Sequence, residues 1–69
     1  MSLDQETIQA QLEQLAAHRR TLAVLLKRLA LLGGLAYAPP EVANGIAEAR
    51  DNIARIKSFL RDGGVQVEN

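Results

Sequence analysis

Along the first half of the chain, Ile8, Leu12, Leu15, Leu22, Leu26 and Leu29 recur at alternating steps of four and three residues, with Arg19 the one polar member. That spacing keeps a single apolar seam on one side of an α-helix and predicts a helix over residues 4–32. Ser2 followed by Gln5 matches a capping box and is the stronger start signal; Asp4 with Thr7 is the weaker one. Asp4, Glu6 and Glu13 come early and Arg19, Arg20, Lys27 and Arg28 come late, an order that complements the helix dipole. Gly33-Gly34 ends the helix, because glycine reaches the left-handed conformation a C-terminus needs.

A connector over residues 33–39 carries Leu35 and Tyr37, which are expected to fold back over the helix ends. Pro39-Pro40 restarts the chain, with Pro40 suited to a first helical turn and Glu41 placed where the dipole favours it. Val42, Ile46, Ala49, Ile53, Ile56 and Leu60 repeat the four-three spacing and predict a second helix over residues 40–62. Asp51 and Arg55 are spaced for a favourable pair on its outer face. Gly45 inside this helix costs ~1 kcal/mol against alanine; either it admits another backbone closely or it is simply tolerated. Gly63-Gly64 stops the helix, leaving Val65 and Val67 in a short extended tail. Tyr37 would cap one end of the pair, and Phe59 would close the other or pack on Val65. The fold class is all-α, a two-helix antiparallel hairpin.

The first helix carries more apolar surface than one partner helix covers. Within residues 22–32 the seam is flanked by Leu25 and Leu32 on one side and by Ala23 and Ala30 on the other, while Val24 and Leu31 fall on the outer face. A helix apolar nearly all round is normally buried nearly all round. Hairpins are therefore expected to pair, most simply as a homodimer forming a four-helix bundle. The residues expected to carry self-association are Leu22, Leu25, Leu26, Leu29 and Leu32 with Ile46, Ile53, Ile56 and Leu60; Arg19 and Gly45 are candidate specificity positions. Burial against the remainder of a longer chain is the alternative.

Size and composition point the same way. With 69 residues the chain is one small domain, and at that size a lone core is marginal. Disulfides, metals and self-association are the usual remedies. There is no cysteine and one histidine, which leaves neither a disulfide nor a thiolate or His-rich metal site. Eight basic and eight acidic residues cancel, and the two aromatics, Tyr37 and Phe59, make no base-stacking platform. Neither a nucleic-acid partner nor a membrane is expected. Residues 22–32 are interrupted by Lys27 and Arg28 and are shorter than a membrane span. The lack of cysteine fits a reducing, cytoplasmic setting. Met1-Ser2-Leu3 reads as a vector-derived leader (residues 1–3), residues 4–62 as the hairpin, and residues 63–69 as a tail or the start of a linker to a further domain.

Candidate chemistry is thin. His18, Arg19 and Arg20 are positioned to meet a phosphate or an acidic partner, but adjacent charges on a helix are commonly a solvated face, with Arg19 snorkelling from the seam. Arg19 in the seam is equally able to set register. Glu48 and Asp51 are three residues apart on an exposed face with no histidine nearby in sequence. The one histidine has only Thr21 and the serines to activate. Both glycine pairs follow helices, the reverse of a phosphate-binding loop. No catalytic residue, metal site or cofactor is expected, and the reading is non-enzymatic.

Over residues 34–69 one set of features is familiar: prolines before a helix, then Ile46, Ala49-Arg50, Ile53, Ile56-Lys57 and Leu60, then a glycine turn and Val65-x-Val67. This resembles the small helical effector-associated modules at the N-termini of bacterial multidomain proteins, among them STAND-type NTPases and chains with TIR, CHAT or caspase-like effector domains. The resemblance covers about half the chain. It implies a death-fold-like adaptor that self-associates or meets a like module on another protein, and it carries over no catalytic residue.

Three expectations follow. The first is a protein–protein interaction and oligomerisation module that brings fused effector or signalling domains together. The second is a heterotypic subunit, such as a small chaperone or antitoxin-like protein, covering a partner's apolar groove. The third, a small enzyme or metal protein, lacks any constellation to support it.

Overall fold

The structure, a computed structural model, describes residues 3–68. Helix α1 spans Gln5–Leu32 and helix α2 spans Pro40–Asp62, joined by a short 3-10 turn at Leu35–Tyr37. Among the described residues there is no strand. The helices run antiparallel: Leu25 in the second half of α1 packs on Gly45 near the start of α2, and Leu3 just before α1 packs on Gly63 just after α2. The chain is all-α and the two helices form a hairpin, 44 × 18 × 15 Å in extent.

The start of α1 differs from the sequence expectation. Asp4 is the N-cap, with extended backbone, and its Oδ1 accepts the Thr7 N–H at 2.7 Å. A side chain one residue ahead of the first helical turn is the one able to reach an unpaired N–H there. The start signal in use is therefore Asp4 with Thr7, the weaker of the two expected, and not the Ser2–Gln5 capping box; Ser2 itself lies outside the described residues. Hydrogen bonding from the Thr7 backbone, and then from its side chain, holds the Asp4 carboxyl below its ordinary pKa.

Both glycine pairs end helices as expected, each through a left-handed residue. Gly33 has φ 93°, and the next amide, Gly34, donates to Leu29 O at 3.1 Å. At the end of α2 the left-handed residue is Gly64, φ 84°, and Val65 N–H donates to Leu60 O at 2.9 Å. Both arrangements bring orphaned carbonyls of the last turn back into use. At the start of α2 no side chain caps the helix; Pro40 occupies the first turn, and the Pro39 carbonyl accepts from Val42 and Ala43.

The core is narrow. Among the described residues Leu15, Val42, Ile46, Ala49, Ile56 and Leu60 are the buried hydrophobic ones, and no polar residue is buried with them. Leu15, Ile56 and Leu60 form a cluster, and Leu3, Ile53, Val65 and Val67 pack against it. The tail is thus not free. After Gly64 turns the chain, Val65 and Val67 lie back on the cluster, and an Arg19 guanidinium N–H donates to the Glu68 carbonyl. The seam arginine is spent on fastening this return. Leu3, expected to belong to a leader, also contributes to the core; Met1 and Ser2 lie outside the described residues, as does Asn69.

Four further expectations change. The connector does not fold over the helix ends: Leu35 and Tyr37 are mostly exposed, although the Tyr37 ring lies beside Gly33. Gly45 accommodates a side chain, Leu25, where another backbone or mere tolerance was expected. Arg55 donates to Asn52 Oδ1, three residues back, in place of pairing with Asp51. Phe59 stays half-exposed along the groove between the helices, beside His18 and Asn52.

Candidate interaction surface

The nine residues expected to carry self-association divide sharply between inside and outside. Ile46, Ile56 and Leu60 are buried in the hairpin's own core, and Ile53 packs on the same cluster. In this fold they meet α1 and the tail, which leaves α2 little to offer a partner. Leu22, Leu25, Leu26 and Leu29 are half-buried, and Leu32 is just on the exposed side. Leu25 is further committed, since its Cδ1 lies 3.0 Å from the point a Cβ on Gly45 would occupy. Gly45 therefore acts inside the hairpin, and Arg19 acts on the tail.

What remains uncovered is a different set. Leu31 is 81% exposed, Val24 59%, Leu35 68% and Tyr37 72%. All four lie in the second half of α1 or in the connector, so the most exposed apolar side chains are those toward the turn end of the hairpin, while Leu12 and Phe59, nearer the other end, are less exposed. The reason is visible in the architecture. The described part of the returning tail lies beside Leu12, Leu15, Arg19 and Arg20, in the first half and middle of α1. By spacing Val24 and Leu31 fall on the outer face, outside the residues expected to carry self-association. The signal was present in their seven-residue spacing, which repeats a helical face and continues that of Ala10 and Ala17.

Between the helices runs an open groove with Gln11, Gln14 and His18 on one wall and Asn52, Arg55 and Phe59 on the other. His18 is half-buried there and has no hydroxyl nucleophile or carboxylate among the groove's polar residues. Arg55 is already held by Asn52. The groove offers three side-chain amides, an imidazole, a guanidinium and one aromatic edge. Among the described residues no three of His, Asp and Glu come together to hold a metal ion, and no helix is long and apolar enough to cross a membrane.

No family model, curated protein or solved structure matches this chain. The functional reading is carried by the surface itself.

Proposed function

We propose that this chain is a non-catalytic protein–protein interaction module whose hairpins associate with one another and so bring attached domains together. The observation that carries the reading is the apolar turn end, where Leu31, Val24, Leu35 and Tyr37 stand in solvent on a chain whose own core holds six residues. Large apolar side chains gathered in one region mark an association surface more often than an idle one. Burying each gains about 1.5–3 kcal/mol, a large increment for a domain whose total stability is of order 0.05–0.15 kcal/mol per residue. Two hairpins joined this way make a four-helix bundle. Domains fused to them would then meet at high effective concentration without any new contact of their own. This is the adaptor role that the resemblance to effector-associated modules implies.

The test is functional and direct. Each half of a split reporter enzyme is fused after residue 69, and the two fusions are mixed. Complementation well above that of the unfused halves, lost when Leu31→Glu is placed in both fusions, supports the reading. Complementation no greater than the unfused control defeats it. Full helicity of the isolated chain is also expected; a chain that becomes helical only with a different protein present belongs instead to a heterotypic binder.

A further inference from the structure

The uncovered residues of α1 are not scattered. Ala10, Ala17, Val24 and Leu31 follow one another at seven-residue intervals, all are exposed, and all lie on the side of the helix opposite Leu15, Leu22 and Leu29. Charges flank this stripe in two blocks, Glu6 and Glu13 in the first half and Arg20, Lys27 and Arg28 in the second. Among the described residues none of these five side chains makes an intrachain hydrogen bond or ion pair. The small members of the stripe stand with the acids and the large members with the bases.

We infer that this stripe is where a second copy of the chain docks, with the two α1 helices antiparallel about a two-fold axis near Arg20. The inference rests on the self-association reading above and specifies its face and direction. Antiparallel pairing sets Leu31 and Val24 over the small residues of the partner's first half and sets Glu13 against its Lys27, while the two Arg20 side chains meet near the axis. Parallel pairing sets acid on acid and base on base, which is unfavourable. Such a surface is self-complementary, as a two-fold interface must be. The area also fits. The chain exposes 5094 Å², roughly 850 Å² more than a compact monomer of its mass, and a standard interface removes about 800 Å² from each partner.

A charge exchange at Glu13 and Lys27 tests this, because the antiparallel arrangement brings each close to the other on the partner. Both are exposed, and circular dichroism of each variant verifies its helicity. Glu13→Lys and Lys27→Glu are each expected to weaken self-association about ten-fold, and the double variant to return to within about two-fold of the parent. If the parent associates and neither single variant weakens it, the antiparallel stripe is wrong while self-association stands. If the parent is a monomer at every concentration, both the stripe and the reading beneath it fall.

Discussion

Leu25 lies across the two helices onto Gly45, with its Cδ1 3.0 Å from where a Cβ on that glycine would stand. The contact lets α2 approach α1 while a leucine remains between them. It also gives the glycine a structural use that offsets its poor helix propensity. Leu25 is half-exposed, so its methyl is able to yield by a few tenths of an ångström. Gly45→Ala is therefore expected to raise stability by about 0.5 kcal/mol, propensity outweighing the small displacement. Gly45→Leu is expected to lower it by about 1–3 kcal/mol, because no such yielding accommodates a second leucine. Urea denaturation followed by helical ellipticity measures both, and equal effects from the two substitutions would refute the contact.

Leu60 is the centre of the core, with no exposed surface, and Leu15 is 2% exposed. Leu60→Ala is expected to cost about 2–5 kcal/mol, a large share of what a domain this size possesses. Phe59→Ala, one residue away but half-exposed, should cost markedly less. A Phe59 variant as damaging as the Leu60 variant would place the core elsewhere.

The tail is held by two unequal means. Val65 and Val67 pack on the core cluster, and Arg19 donates to the Glu68 carbonyl at an exposed position. Val67→Asp should cost about 1–2 kcal/mol in lost apolar burial, whereas Arg19→Gln should cost under about 1 kcal/mol. Amide exchange of the last residues is expected to accelerate in both variants, and more in the first. Unchanged exchange after Val67→Asp would mean that the tail does not pack on α1.

Asp4 links the first turn to pH. Its folded carboxyl lies below the ordinary value because Thr7 donates to the ionised form. A depressed acid contributes stability that is present above the unfolded pKa and is lost as pH falls through the folded one. Thermal stability should therefore fall on acidification through the range below the ordinary Asp value of 3.8. In Asp4→Asn, which keeps a capping oxygen, that part of the pH dependence should vanish. A variant with the parent's pH profile would rule the cap out as its source.

Much of this was legible in the residues, and what was not has physical causes. Period fixes a face, so the seam through Leu15, Ile46, Ile56 and Leu60 was readable, as were two helices and their glycine stops. Period does not say which face meets which neighbour. The seam of α2 was assigned to a partner chain, whereas one copy of α1 and the tail already cover it. Leu25 on Gly45 needed the register between helices, which no local pattern encodes. The return of Val65 and Val67 depends on the left-handed turn at Gly64, and it turned Arg19 from a seam residue into a fastener. Between Ser2 and Asp4 the choice of cap rested on a difference of half a turn, finer than a spacing rule resolves. The outer stripe could be read from Val24 and Leu31 alone, once the seam was known to be occupied.

The central claim is that the turn end of the hairpin is an association surface. Light scattering or sedimentation equilibrium across concentrations from micromolar to millimolar measures it, for the parent and for Leu31→Glu. Leu31 is 81% exposed, so this substitution leaves the core untouched. The parent's mass should rise with concentration toward twice the 7.5 kDa of one chain, while the variant stays near a single chain with unchanged helicity. A parent that remains at one chain's mass throughout, or a variant that associates as strongly as the parent, contradicts the account.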